Sequence, residues 1–477
     1  MNNKLHGLAY INNKFIDTDK KISINSAIDG TEIGSISALN KEQIDFAFES
    51  AHKAFYKWSF LNFDQRIEYI LKFAEFFLED KEVIANLITK EIGKSYPDAL
   101  TEVIRSYEYI IATVEMYKKE LVNPIIYDDS IHGIKNKIGK FYHVPIGVVL
   151  AISPFNYPIN LSIAKIIPTL LVGNTIVFKP ATYGSLVCSL IAKYFDKANF
   201  PEGVFNLVMG KGSEIGDYIL TNRRIEGVTF TGSTDIGKKI AKALPAKNIV
   251  LELGGKDAAI VLDDIDIKKV AKEIVKGAFN FSGQRCTAIK RVIVLDSIAD
   301  NLVEELKNNV LDLKIGNPFD GVDIIPLIDN KSLNYVLDLI NDAIAHNANV
   351  ITGNKVVGYN LLEPTLVDNV STKSRLAWEE PFGPVLPVIR VKTIQEAISI
   401  TNASNFGLQA SIFTNNIEKA KLIARYLNVG TININKSPSR GPDIFPFIGV
   451  KDSGFGVQGI VDSLKAMTRI KGIVENN

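Results

Sequence analysis

From residue 146 onward the chain repeats one rhythm: a short run of β-branched and apolar residues, a glycine- or proline-bearing turn, then an apolar-faced helix. Gly147-Val-Val-Leu-Ala-Ile, Asn174-Thr-Ile-Val-Phe-Lys, Gly203-Val-Phe-Asn-Leu-Val and Gly227-Val-Thr-Phe-Thr read as strands, with a helix over 184–194 between the second and third. Strands apolar on both faces belong in parallel sheets, which need crossover helices and are covered above and below. The rhythm therefore dictates an α/β fold. A second series begins near 252, with helices expected over 267–278, 299–312, 331–346, 393–403 and 416–427 and strands near 291, 362, 385, 410 and 430.

At 477 residues the chain is too long for one hydrophobic core, so two α/β domains are expected. Residues 40–120 read largely as helix, with Asn40 as a cap ahead of Ile44, Ala47, Phe48 and Ala51. Residues 124–145 break into short alternating runs, which suggest a β-hairpin arm of the kind that pairs across subunits. The expected division is a dinucleotide-binding domain over 1–123 and 146–251, a catalytic domain over 252–455, and an oligomerisation element over 124–145 and 456–477.

A net charge of +1, from 54 basic and 53 acidic side chains, offers no electrostatic footprint for nucleic acid or an anionic membrane. Two cysteines cannot build a disulfide framework, and the polar start MNNKLHGLAYINNKF lacks a signal-peptide core, so a cytoplasmic protein is expected. The uncharged stretch 144–164 approaches the length of a membrane span, but Pro145, Pro154, Pro158, Asn156 and Asn160 read as buried strand followed by loop.

Phe279 to Arg291, FNFSGQRCTAIKR, sets the rare thiol of Cys286 behind Arg285 in a glycine-bearing loop. A nucleophilic thiol must be reachable and able to ionise, and Arg285 and Thr287 suit both. Cys188, among Leu186, Val187, Leu190 and Ile191, reads as a buried apolar residue. The five histidines (His6, His52, His132, His143, His346) show no metal-ligand spacing, and nothing supports pairing one with a cysteine. Glu252, between apolar residues and ahead of two glycines, fits a partly desolvated general base with a raised pKa, or else an edge glutamate without a role. Glu380-Pro-Phe382-Gly-Pro is a stiff acidic turn that also reads as a plain loop.

Two glycine turns are candidates for a pyrophosphate. Gly210-Lys-Gly-Ser-Glu-Ile-Gly216 is one residue too long for a dinucleotide fingerprint. Gly232-Ser233-Thr234-Asp-Ile-Gly237 opens a helix whose N-terminus favours phosphate. Each, taken singly, is equally well read as structural punctuation. Lys179, at the end of a strand, is a ligand contact or a solvated strand end in equal measure.

Taken together these motifs resemble the aldehyde dehydrogenase superfamily. F-x-x-x-G-Q-x-C at 279–286, L-E-L-G-G-K at 251–256, S-P-F-N-Y-P at 153–158, G-S-T-x-x-G at 232–237, K-P-A at 179–181 and E-x-F-G-P at 380–384 stand in that family's order across residues 40–475. The resemblance implies a Rossmann-like cofactor domain, an α/β catalytic domain and a small β oligomerisation arm, assembled as a homotetramer (a dimer of dimers). It implies oxidation of an aldehyde with NAD(P). Cys286 would form a thiohemiacetal, Asn156 and the Cys286 N–H would hold the oxyanion, and Glu252 would activate water against the thioester. Lys179 and Glu380 would hold the riboses, Phe382 the nicotinamide region, and Gly232 and Ser233 the pyrophosphate. Members that acylate coenzyme A generally lack the deacylating glutamate, whereas Glu252 is present.

Members that prefer NAD usually carry a glutamate three residues past the ribose-binding lysine; here Thr182 stands there, which implies NADP. GQRCTAIKR, AWEEPFGPVLP and RGPDIFPFIGVKDSGFGVQG resemble the non-phosphorylating glyceraldehyde-3-phosphate dehydrogenase branch. That branch holds a C3 phosphate with arginines and a tyrosine, and Arg105, Tyr157, Arg285 and Arg440 fall at the matching places, with Thr287 near the substrate hydroxyl. The expected reaction is irreversible oxidation of D-glyceraldehyde 3-phosphate, a small phosphorylated aldehyde, to 3-phosphoglycerate. The alternative is a dehydrogenase of succinate semialdehyde or lactaldehyde.

Overall fold

A computed structural model describes residues 4–131 and 133–476; His132 lies outside the described residues. Four helices, Lys41–Phe60, Phe63–Glu79, Lys81–Ile92 and Tyr96–Glu120, fill the stretch read as helical. The first begins in a capping box, Asn40 accepting from the Gln43 N–H and Gln43 answering at Asn40. Such a cap stabilises a helix by about 1 kcal/mol.

An eight-stranded sheet carries the first half. Its order is Gly454–Phe455, Asn248–Glu252, Ile225–Thr231, Val148–Ile152, Thr175–Lys179, Phe205–Leu207, Ala9–Ile11 and Lys14–Ile16. The five strands from Asn248–Glu252 to Phe205–Leu207 run parallel, and antiparallel strands close both edges. Glu252, Gly232, Asn156 and Lys179 all follow or finish these parallel strands, so they gather at one edge, the carboxyl edge, where open α/β sheets bind ligands. The stretch 144–164 supplies the strand Val148–Ile152 and a loop as expected, then the first turns of the fully buried helix Asn160–Leu171.

The second sheet has seven strands, ordered Asn349–Thr352, Thr365–Asp368, Val385–Val391, Arg291–Leu295, Ala258–Val261, Gln409–Phe413 and Thr431–Ile434. Side chains alternate between its two faces. Ala258 and Ile260 pack into one core with Ile293 and Ile389, while Ala259 and Val261 pack into another with Val292 and Val388. Cys286 and Phe382 lie just before strands of this sheet, so its amino edge meets the carboxyl edge of the first.

Three strands, Ile125–Tyr127, Lys137–Pro145 and Thr468–Asn476, form a separate antiparallel arm. The last segment divides differently from the boundary at 456. Gly454–Phe455 pairs with Leu251 and Glu252 in the first sheet, and the helix Ile460–Ala466 buries Ile460 and Leu464 in the first core. Only Thr468–Asn476 belongs to the arm. The short strands between Leu5 and Ser37 are absent from the sequence reading, because three- to six-residue strands with mixed polarity carry little periodicity. Among the described residues no helix is long and apolar enough to cross a membrane.

Candidate active site

The loop that carries Cys286 is held in an unusual backbone. Phe281 and Ser282 have φ of 55° and 51°, left-handed values that non-glycine residues adopt only when their surroundings insist. The surroundings do insist. The Ser282 hydroxyl donates to the Ile325 carbonyl at 2.8 Å and accepts from the Ile325 N–H at 2.9 Å, and the Gln284 amide oxygen accepts from the Ile328 N–H at 3.0 Å. Gly283 follows at φ 73°, and a Cβ there would stand 2.3 Å from the Gly383 carbonyl oxygen. The loop can pass only as glycine.

Cys286 emerges half-buried into a cavity of about 240 Å³, lined also by Arg105, Tyr157, Arg285, Thr287 and Arg440. All five substrate residues expected from sequence therefore share one cavity with the thiol. Asn156 is buried beside it, and its Nδ2 donates to the Gln284 carbonyl at 2.9 Å. One N–H of the amide is thus spent on the nucleophile's own loop and fixes the side chain. No backbone carbonyl among the described residues takes up the Cys286 N–H. The thiol is pushed up to about 12, first by burial and then by the Glu252 carboxylate, against the pull of Lys290 and Arg440. The cations that weigh most toward its thiolate are these two rather than the neighbouring Arg285.

Arg285 instead turns Nη2 onto the Gly277 carbonyl at 2.6 Å, while its Nε has no partner among the described residues. Arg105 pairs with Asp443 through Nη2 at 3.1 Å. The Tyr157 ring carries the Lys94 ammonium over its face, 3.6 Å from the centroid. That lysine is fully buried and ion-paired with the equally buried Glu102, whose other oxygen accepts from the Ile159 and Asn160 N–H groups at 2.9 and 3.0 Å. The pair thus holds the Tyr157 ring and the C-terminal end of the loop carrying Asn156.

Glu252 is 3% exposed and does not have the raised pKa expected of it. Burial pushes the carboxyl up, but Arg440, Lys165 and the Thr231 hydroxyl outweigh burial and hold it below the usual glutamate range. Arg440 Nη1 bonds Glu252 Oε1, and the Thr231 hydroxyl donates to Oε2 at 2.7 Å. Lys165 donates to that hydroxyl at 2.5 Å and is itself pushed down to about 7, chiefly by burial. The sequence shows only apolar neighbours around Glu252; the charges that control it arrive from far along the chain.

The two glycines after Leu253 sit at close approaches. A Cβ on Gly254 would meet Glu380 Oε2 at 2.4 Å, and one on Gly255 would meet the Cys286 carbonyl oxygen at 3.1 Å. Glu380 Oε1 accepts from the Gly255 N–H at 3.1 Å and lies 3.2 Å from the buried Lys290 ammonium, which also bonds the Cys286 carbonyl. One ammonium thereby ties the nucleophile's backbone to the carboxylate expected to hold a ribose.

A second cavity, about 650 Å³, is lined by Ser233, Thr234, Lys238, Tyr335, Trp378 and Glu380 among others. Ser233 stands at the N-cap of the helix Thr234–Ala243 with no side-chain cap bond, leaving its hydroxyl and the first helical N–H groups for an anion. Gly232 precedes it, its N–H on the Glu252 carbonyl at 3.1 Å. Phe382, at φ 48°, packs edge-on against Phe155 with centroids 6.0 Å apart. Lys179, Thr182 and Phe382 do not line this cavity. Lys179 is buried with a single acceptor among the described residues, the Pro180 carbonyl at 3.2 Å, and burial pushes its ammonium down to about 8. Thr182, one turn on, is half-buried, and its carbonyl accepts from the Ser185 hydroxyl at 2.6 Å. A buried ammonium short of acceptors, three residues before a half-buried threonine, fits a phosphorylated ribose.

Residues 15–473 match the profile of the Aldehyde dehydrogenase family. The chain belongs to the aldehyde dehydrogenase family. This aldehyde dehydrogenase is 47% identical over 468 residues to the NADP-dependent glyceraldehyde-3-phosphate dehydrogenase of Streptococcus equinus, covering 98% of each chain. It is 35% identical to the lactaldehyde dehydrogenase of Methanococcus aeolicus, covering 98% of this chain and 99% of that one. Its fold superposes with a TM-score of 0.96 on the crystal structure of NADP-dependent glyceraldehyde-3-phosphate dehydrogenase from Bacillus halodurans C-125 complexed with NADP, at 46% identity over 99% of this chain and 100% of that one.

Several residues of this aldehyde dehydrogenase's site escape sequence reading. Lys290 lies within the Cys286 stretch but looks like an ordinary basic residue there. Lys165, set in the apolar run Ile163-Ala-Lys-Ile-Ile, does carry a signal, since a lysine in a wholly buried helix needs a partner. Lys94, Glu102, Thr231 and Gln458 carry none.

Proposed function

We propose that this aldehyde dehydrogenase oxidises D-glyceraldehyde 3-phosphate irreversibly to 3-phosphoglycerate with NADP. The observation that carries the reading is the shared cavity, in which the Arg105, Arg285 and Arg440 side chains line the same small space as Cys286 and Tyr157. Guanidinium groups grip a phosphate in bidentate fashion, and a cavity of about 240 Å³ suits a three-carbon chain.

Cys286 gives up its thiol proton to solvent and the Sγ thiolate attacks the aldehyde carbon, whose carbonyl oxygen becomes an oxyanion held by Asn156 Nδ2 and the Cys286 N–H. NADP, when bound, supplies the acceptor for the hydride. Cys286 is left carrying the acyl group as a thioester. Glu252 then takes a proton from water as the water oxygen bonds the acyl carbon; the C–S bond breaks and sulfur leaves as thiolate. Hydrolysis by water makes the sequence irreversible and needs no inorganic phosphate. Lys179 and Thr182 would hold the adenine-side ribose and its 2′-phosphate, Ser233 and Gly232 the pyrophosphate, and Glu380 and Phe382 the nicotinamide end. Thr287 would meet the substrate hydroxyl.

The free state of both cysteines supports a reducing, cytoplasmic setting. The arm strand Thr468–Asn476, with Ile470, Ile473 and Val474 exposed, supports assembly through strand pairing into a homotetramer.

The test is formation of 3-phosphoglycerate and NADPH in buffer free of phosphate, with NADP and NAD compared. Arg105→Leu should raise KM for glyceraldehyde 3-phosphate roughly tenfold or more, the worth of about 1.5–3 kcal/mol for a charged hydrogen bond, and leave unphosphorylated glyceraldehyde unchanged. Equal KM values for the two proteins, or faster turnover of lactaldehyde or succinate semialdehyde, would replace this reading with that of a dehydrogenase for a hydroxylated or carboxylate-bearing aldehyde.

A further inference from the structure

Arg440 faces two ways. It lines the cavity that holds Cys286, Arg105 and Arg285, yet its Nη1 is bonded to Oε1 of Glu252 and its Nη2 to the Gln458 side-chain oxygen at 2.6 Å. Its guanidinium stacks 5.1 Å from the centroid of the Phe447 ring. The other oxygen of Glu252 is taken by the Thr231 hydroxyl. A carboxylate whose two oxygens are both engaged, one by a guanidinium, is a poor proton acceptor. The residue that should activate water is locked by a residue that should bind substrate.

We infer that Arg440 is a substrate-operated clamp on Glu252: a phosphate bound in the cavity draws the guanidinium off the carboxylate, and Glu252 becomes the deacylation base only when a phosphorylated acyl chain sits on Cys286. The inference rests on the phosphate reading given above and adds a control that the reading does not contain.

The exchange is physically balanced. A guanidinium pairs with a phosphate dianion at least as well as with a carboxylate, and Arg105 and Arg285 line the same cavity to share the anion. Glu252 then keeps Thr231, with Lys165 behind it. The charged groups acting on Glu252 are Arg440 and Lys165, with Cys286 nearby as a thiol, and Lys165 is only fractionally charged at neutral pH because burial holds it at about 7. With Arg440 withdrawn, burial, the largest single influence on the carboxyl, loses its main opponent and raises its basicity. Among the described residues neither Asn156 nor Cys286 is hydrogen-bonded to Arg440, so the oxyanion donors needed for acylation do not depend on this contact. An aldehyde without phosphate therefore acylates Cys286 and stalls as a thioester.

Stopped-flow formation of NADPH from unphosphorylated D-glyceraldehyde reads the clamp directly. The intact enzyme should give a burst near one equivalent per site followed by slow turnover, and added phosphite dianion should speed the slow phase by about tenfold, the equivalent of one unit of basicity at Glu252. Arg440→Leu should turn over glyceraldehyde faster than the intact enzyme, show no response to phosphite, and move the pH profile of the slow phase upward. A faster variant is a result that mere structural damage does not produce. The clamp is overturned if phosphite leaves the slow phase of the intact enzyme unchanged, a measurement that needs no variant, or if Arg440→Leu deacylates no faster. A rise in KM for glyceraldehyde 3-phosphate in Arg105→Leu alongside either result removes the clamp alone; an unchanged KM there removes the phosphate reading itself.

Discussion

Asn156→Ala separates the two jobs that one amide performs. The Nδ2 group has two hydrogens, and one is committed to the Gln284 carbonyl at 2.9 Å, which leaves the second for the oxyanion. Loss of one oxyanion donor typically lowers kcat by about 10²–10³, or about 2.7–4 kcal/mol. Gln284 is itself fully buried, so truncation also strands its carbonyl, at a cost in stability of about 1–3 kcal/mol. The variant should therefore fold with a lowered urea midpoint and lose two to three decades in single-turnover NADPH formation, with little change in substrate KM. Labelling by iodoacetamide at Cys286 reports whether the thiol remains accessible. A fall in kcat of less than about tenfold, or a rise confined to KM, would refute the assignment of this amide to the oxyanion.

The buried Lys179 ammonium gives NADP binding a pH dependence with a definite sign. The group is charged below about 8 and neutral above it, so affinity should be full below about 8 and fall as pH rises through that value, a trend that Lys179→Met should flatten in a fluorescence titration. Lys94→Met leaves the Glu102 carboxylate buried without its cation and removes the charge from the Tyr157 face, so the urea midpoint should fall by the equivalent of about 3–5 kcal/mol. A double variant with Glu102→Gln should recover part of that loss; strict additivity would deny the pair its role.

Much of the fold was legible because parallel strands covered on both faces are near-continuous apolar runs, and Val148–Ile152, Thr175–Lys179 and Ile225–Thr231 all stand where such runs predict. The site was legible where rarity helped, as with Cys286, and where sequence order imposed close packing, as with Gly254 and Gly255. Adjacency misled where side chains reach away from their neighbours. Arg285 precedes the thiol yet spends a guanidinium nitrogen on Gly277, while the cations bearing on Cys286 are Lys290 and Arg440. Glu252 fails as a raised carboxyl for the same reason: Arg440 and Lys165 are distant in sequence and adjacent in space.

The strand that ends in Glu252 is bordered by Gly454–Phe455, with Glu252 in register with Gly454. During synthesis the nucleophile, the oxyanion amide and most of both sheets emerge from the ribosome before that border exists. Glu252 gains its bordering strand only when the chain comes back, together with Arg440 and Gln458, which arrive in the same late segment. A nascent or prematurely ended chain can thus present the thiol, the oxyanion amide and Glu252 before the contacts of Arg440 and Gln458 that hold the carboxylate exist. Control of hydrolysis by the substrate becomes a property of the finished polypeptide, acquired at one moment in its making.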